Sequence, residues 1–177
     1  MKQILNLLMI VSIIMISFTL SAADSRAIIR ESSKGDIPAI EKLLSEGADI
    51  NSRDDKGMTP LMYAVLNNNP SLVEFLIKRG AEINKKDNLG LTPLMYASDD
   101  NFINIITVLI ANGADVNAAN TYGITALMFA AENGHTGAVK ILLKHGADTK
   151  LKNYSGLSAA DYALSKSHNE LYELLKK

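Results

Sequence analysis

A Gly-Ala-Asp/Glu phrase returns at a constant step of 33 residues: Gly47-Ala48-Asp49, Gly80-Ala81-Glu82, Gly113-Ala114-Asp115 and Gly146-Ala147-Asp148. A second ladder, Gly57, Gly90, Gly123 and Gly156, keeps the same step. Between the two fall Thr59-Pro60-Leu61-Met62-Tyr63-Ala64, Thr92-Pro93-Leu94-Met95-Tyr96-Ala97 and Thr125-Ala126-Leu127-Met128-Phe129-Ala130. A chain with a fixed step of this length makes one supersecondary unit several times and stacks the copies, because a single unit cannot bury its own apolar face. That constraint removes the irregular single-core folds at once.

Within each unit the residues predict a turn, a helix, a tight connection, a second helix and a loop. Thr59-Pro60 and Thr92-Pro93 open first helices: the hydroxyl caps orphan amides, and Pro at the first helical position lacks an amide that had no partner. Asn69-Pro70 repeats the device for a second helix. Second helices carry apolar residues at 3–4 spacing: Val73, Leu76 and Ile77; Ile106, Leu109 and Ile110; Val139, Leu142 and Leu143. The glycine of each Gly-Ala-Asp/Glu phrase follows directly, at the left-handed position that ends a helix. Ala64, Ala97 and Ala130 are small enough for close helix approach. A partial unit over about 24–52 has Gly35-Asp36 heading its second helix and Ile40, Leu43 and Leu44 on its ladder. Full units begin near Asp54, Asp87 and Asn120. A last one begins near Asn153, where Ser158-Ala159-Ala160-Asp161 replaces the Thr-Pro-Leu-Met phrase and the end is rich in charge, which reads as a cap.

These phrases resemble the ankyrin repeat over roughly residues 25–177. The resemblance implies an all-α ankyrin-repeat solenoid of stacked helix–turn–helix units with β-turn tips, about five including the caps. The expected division is a segment 1–23 followed by one domain, 24–177, in units 24–52, 53–85, 86–118, 119–151 and 152–177. One departure stands out. The family usually has His after Thr-Pro-Leu, and this chain has Met62, Met95, Met128 and then Asp161. Methionine is expected to replace a directed polar contact with adaptable packing. A methionine stripe at repeat spacing reads as core and not as a soft-metal ladder.

The N-terminus has a different composition. Lys2 precedes an apolar run, Ile4 to Leu20, and Ser21-Ala22-Ala23 sets small residues ahead of Asp24. That order predicts a secretory signal peptide over 1–23 and an exported protein, periplasmic or secreted. The alternative is retention of residues 4–20 as a membrane anchor. The chain has no cysteine, so it offers no thiol for lipidation and no disulfide. Removing 23 of the 177 residues leaves 154, and losing Lys2 with no acid moves the formal charge from −1 to −2. Such balance speaks against nucleic acid, which attracts a basic face.

Catalytic chemistry finds little support. His135, His145 and His168 lack the i, i+4 spacing of a helical zinc site, and every glycine on the two ladders is explained by a turn. Asp54, Asp55 and Asp87 are turn acids that bond backbone amides. Asp99-Asp100 is the least explained acidic pair, since it interrupts a first helix near its end. The reading is therefore a non-enzyme with no catalytic residues, no metal site, no cofactor and no small-molecule substrate.

In the family that the chain resembles, partners bind to the turn tips and the exposed side of the first helices, which line a concave surface. Carried onto this sequence, that surface holds Leu89, Leu91, Tyr122, Ile124, Tyr154 and Leu157, with Asp99 and Asp100 on its rim beside Lys85, Lys86 and Lys152. Apolar and aromatic groups on a surface expected to be solvated suit an interface core. Met58, Leu91, Ile124 and Leu157 share a register, which fits packing between turns equally well. The expected function is binding of a partner protein. Alternatives are an inhibitor or accessory factor of one exported enzyme, and a structural protein anchored by its N-terminal helix.

Overall fold

The computed structural model describes residues 25–176. The expected signal segment, 1–23, lies outside them. The described chain forms helix pairs: α1 (25–34) with α2 (Ile37–Ser45), α3 (Pro60–Leu66) with α4 (Pro70–Lys78), α5 (Pro93–Asp99) with α6 (Ile103–Ala111), α7 (Ala126–Glu132) with α8 (Thr136–Lys144), and α9 (Ala159–Ser165) with α10 (Asn169–Leu175). First helices α3, α5, α7 and α9 stack in series, and second helices α4, α6 and α8 stack beside them. The result is an all-α repeat solenoid, as the 33-residue step requires.

Local chemistry sets the helix starts. Thr59, Thr92 and Thr125 accept the amides of Met62, Met95 and Met128 at 3.3, 3.4 and 3.4 Å, and Ser158 accepts that of Asp161 at 3.3 Å. Each such cap stabilises its helix by about 1 kcal/mol. Asn69 Oδ1 takes the Leu72 amide at 3.0 Å, with Pro70 in the first helical position. Gly47, Gly80, Gly113 and Gly146 end the second helices with φ between 88° and 97°.

The methionines behave differently from the expectation. They are buried, as core residues should be. Yet Met62 Sδ accepts the Thr59 amide at 3.4 Å, and Met95 Sδ accepts that of Thr92 at 3.5 Å. A thioether is a weak acceptor, but a buried amide with no water gains from any acceptor in reach. The directed contact is therefore retained in these two units. In the last unit Asp161 Oδ2 takes the Ser158 amide at 2.8 Å and its hydroxyl at 2.6 Å.

The core is a continuous seam between the two helix stacks. Leu72, Leu76, Ile105, Ile106, Leu109, Val139 and Leu142 from the second helices are fully buried, and so are Ala64, Ala97 and Ala130 facing them. Burying one such Leu or Ile contributes about 1.5–3 kcal/mol. Neighbouring units are also laced together by an asparagine at the same step. Asn51 Oδ1 accepts the Glu82 amide at 2.8 Å, and Asn84 and Asn117 do the same for Asp115 at 2.9 Å and Asp148 at 2.8 Å. Asn84 and Asn117 also donate to the carbonyls of Gly113 and Gly146, each at 3.0 Å. Each side chain thus satisfies an amide and a carbonyl of the next unit that its own turn leaves open. The ladder stops at Lys150.

Candidate partner-binding surface

Each tip is a β-turn closed on itself. The amides of Gly57, Gly90, Gly123 and Gly156 donate to the carbonyls of Asp54, Asp87, Asn120 and Asn153 at 2.9–3.0 Å. The side chain of that first residue organises the rest: Asp87 Oδ1 accepts the amides of Leu89 and Leu91 at 2.9 and 2.8 Å. Asp54, Asn120 and Asn153 repeat the pattern, so an uncharged amide oxygen serves as well as a carboxylate. The acids at Asp54 and Asp87 are thereby accounted for as turn formers.

The tips are then joined to one another. Asn88 donates its amide to the Lys56 carbonyl at 2.9 Å, Thr121 to Leu89 at 3.1 Å and Tyr154 to Tyr122 at 3.1 Å. The chains pass so close that Gly90 has no room for a side chain: a Cβ there would sit 2.7 Å from the Thr121 nitrogen. Successive tips therefore form one braced edge, and side chains on it need little ordering before they meet a partner.

On that edge Leu89 is 52% exposed, Tyr122 58% and Tyr154 81%, and Leu157 in the last unit is also exposed. Leu91 and Ile124 are not exposed anchors. Both are half-buried against the core, and Met58 in the same register is buried, because the following turn covers this position. For these three the packing reading is the correct one. Asp99 and Asp100 are exposed at the far end of α5, about 10 Å along the helix from its tip at the helical rise per residue. The structure does not bring them together with the tip anchors.

Asp99 has a joining role instead. Its carbonyl meets His135 Nε2 at 2.9 Å, and its carboxylate accepts from Asn133 Nδ2 at 2.7 Å. Partial desolvation of the carboxylate by its neighbours pushes its pKa up, with Asp100 and Glu132 adding to the rise and the Asn133 and His135 contacts opposing it. His168 makes the same contact one unit later, reaching the Glu132 carbonyl at 3.0 Å. The two histidines are 33 residues apart, so their common task was written in the spacing.

A row of half-buried aromatics beneath the tips also escaped the sequence reading. Tyr63, Tyr96, Phe129 and Tyr162 recur at the repeat step, nine residues after Asp54, Asp87, Asn120 and Asn153. Tyr63 and Tyr96 donate their hydroxyls to Asp54 Oδ2 and Asp87 Oδ2, both at 2.7 Å. Tyr162 accepts from Asn153 Nδ2 at 2.8 Å. The Asp54 bond and burial push the Tyr63 pKa up to about 12. Burial and the Asp87 bond raise that of Tyr96. For Asp54, burial is opposed by bonds from Tyr63 and the Met58 and Lys56 amides, which together hold the carboxyl below its ordinary value. Tyr96 also floors a cleft of about 400 Å³ between the first and second of these tips, together with Met58, Asn88 and Leu89. The signal for this row was the aromatic at a constant offset from each turn acid or amide.

A family model described as ankyrin repeats in three copies matches residues 28–120, and one for ankyrin repeats in many copies matches 109–163. The chain belongs to the ankyrin-repeat family. No curated protein matches it. Ankyrin repeats are in general protein–protein interaction modules and are typically non-catalytic. Among the described residues of this ankyrin-repeat chain, no group of three or more His, Asp or Glu side chains could hold a metal ion. Nor is any described helix long and apolar enough to cross a membrane.

Proposed function

We propose that this chain is an exported ankyrin-repeat protein that holds one partner protein across its tips and first helices. Leu89, Tyr122 and Tyr154 are the apolar anchors, and the Tyr96 cleft receives a partner side chain beside Leu89. The observation that carries the reading is the braced edge: three large apolar groups stand exposed on turns whose backbones are hydrogen-bonded from unit to unit. Exposed aromatic groups on a rigid platform lose little freedom on binding, and such groups dominate binding energy when a partner desolvates them. Export rests on the order of Lys2, the Ile4–Leu20 run and Ser21-Ala22-Ala23.

A photo-crosslinking residue at Tyr122, irradiated in the producing cells, tests both parts. The expected result is one dominant adduct with another exported protein, lost when the probe is moved to Lys144 on a second helix. Purified Tyr122→Ala should bind that protein at least tenfold more weakly while its unfolding free energy stays within about 0.5 kcal/mol of the parent. Adducts from Lys144 but not from Tyr122 would overturn the assignment of the face. An adduct with a cytosolic protein would overturn export.

A further inference from the structure

The tips do not all carry charge. The residues that start the turns are Asp54, Asp87, Asn120 and Asn153, and the next register holds Asp55, Asn88, Thr121 and Tyr154. All the carboxylates in these two rows therefore belong to the first two tips. The turn itself does not require them, since Asn120 and Asn153 accept the same amides as Asp54 and Asp87. Their charge is felt in the Tyr96 cleft, which lies between those two tips. Met58 and Leu89 are its other apolar groups, and Asp55, Lys56 and Asp87 are among its polar ones. Lys56 is the one cation among the described residues that line it.

Asp87 is buried and accepts three hydrogen bonds, from the Leu89 and Leu91 amides and the Tyr96 hydroxyl. A carboxylate offers about four acceptor positions, so one is unspent. Asp55 is exposed, and its carboxylate takes no part in the turn, whose amides go to Asp54. Burial, the Asp87 bond and the charges of Asp87 and Asp54 all raise the Tyr96 pKa, so the ring stands in a field of negative sign. The other cations of these tips line a separate hollow and are bonded there. Arg53 reaches the Gly57 carbonyl at 3.1 Å and Asn88 Oδ1 at 3.3 Å, Lys85 reaches Glu82 at 3.0 Å, and Lys86 reaches the Ala119 carbonyl at 2.7 Å. The negative sign continues along α5. Asp99 and Asp100 follow Tyr96 by three and four residues, one turn further on the same helix face, and both are exposed. Glu132 holds the register of Asp99 one unit later and pairs with Lys166 at 3.3 Å. On the other side α3 has no charged residue, and Arg30 and Lys34, two units before Tyr96, both pair with Glu31. A neutral apolar occupant of the cleft would strip water from its carboxylates and replace nothing, and an acidic one would be repelled. A guanidinium is planar and weakly hydrated; it stacks on an aromatic face and donates to carboxylates at its edge.

We propose that the Tyr96 cleft takes an arginine side chain of the partner protein, carried on a basic segment. Met58 and Leu89 hold the methylene stem, and the Tyr96 ring, Asp55 and Asp87 take the guanidinium. Asp99 and Asp100 face the next positive charge of the segment. The assignment rests on the tip-face reading and names the chemistry of what that face holds.

The test uses protein purified from cells expressing the full chain, and a capped pentapeptide, Gly-Arg-Gly-Arg-Gly. Three companions have lysine, norleucine or glutamate in place of both arginines. Methyl NMR follows Met58 and Leu89 through each titration and gives the affinities. The arginine peptide should shift both residues and bind about fivefold or more tightly than the norleucine peptide. It should also bind about twofold more tightly than the lysine peptide, and the glutamate peptide should shift neither residue. Asp55→Asn combined with Asp100→Asn alters two exposed side chains and should weaken the arginine peptide about fivefold or more, with the circular dichroism spectrum unchanged. Tyr122→Ala should leave its affinity as it was. Equal or tighter binding of the norleucine or glutamate peptide would overturn the proposal. So would arginine binding that the double change leaves intact. A partner crosslinked at Tyr122, alongside an arginine peptide that shifts neither Met58 nor Leu89, would leave the tip-face reading standing and overturn this one. Shifts at Met58 and Leu89 with no adduct at Tyr122 would do the reverse.

Discussion

The fourth and fifth units are built from nearly the same pattern and have different surroundings. In the fourth, Ile124, Met128 and Ala131 are half-buried or buried; in the fifth, the matching Leu157 and Leu164 are exposed and Asp161 stands where Met128 was. Ala131 and Leu164 hold the same place in their helices, each two residues before the C-cap. What differs is the neighbour. In a solenoid, burial is a property of the interface between units, so the same register is core in one place and surface in the next.

Four comparisons would break or sharpen that contrast. The largest effect belongs to Leu142→Ala, which removes a fully buried side chain and should cost about 2–5 kcal/mol, against less than about 0.5 kcal/mol for Leu164→Ala. Urea unfolding followed by circular dichroism measures both, and equal costs would show that the fifth unit's face is covered. Next come two glycines with almost the same φ, Gly90 at 77° and Gly156 at 80°. Alanine at either position incurs the left-handed penalty of about 1–2 kcal/mol. At Gly90 it also meets the Thr121 nitrogen, an unyielding backbone atom, so the unfolding midpoint should fall further than for Gly156→Ala.

The aromatic row gives a smaller effect and a pH signature. Tyr63 and Tyr96 bond to carboxylates, while Phe129 in the fourth unit lacks the hydroxyl. Replacing Tyr63 by Phe should cost about 1 kcal/mol at neutral pH. The folded chain holds the Tyr63 proton to about pH 12, above the ordinary phenol value of 10.0. Its contribution is therefore complete below pH 10 and is lost as the pH rises through 12. The parent protein should lose stability across that window more steeply than Tyr63→Phe; parallel profiles would exclude the bond as the cause. The smallest effect is a gain. Ser98 is fully buried and its hydroxyl has no partner among the described residues, whereas Ala131 fills the same register one unit later. Ser98→Ala should raise stability by up to about 1 kcal/mol in the same urea assay.

Much of the architecture was legible because its causes are local. Thr59-Pro60 and Gly80 mark a helix start and a helix end through capping and φ, whatever surrounds them. The candidate surface was legible only in part. Tyr122 and Tyr154 stood out as large apolar groups on turns, and the structure leaves both exposed. Leu91 and Ile124 looked the same in the sequence and are half-buried, because a turn 33 residues away covers them. Asp99 looked like a free acid and is bonded to Asn133 and His135 of the following unit.

By itself the sequence determined the unit, its length and its helix caps, since each of these depends on a few adjacent residues and a repeated step. The tertiary structure decided which positions are core and which are surface. It also decided that methionine sulfur accepts a capping amide, and that Leu157 and Leu164 of the fifth described unit stand exposed. Those outcomes depend on contacts between units, and one unit's residues do not carry information about whether another stands beside it.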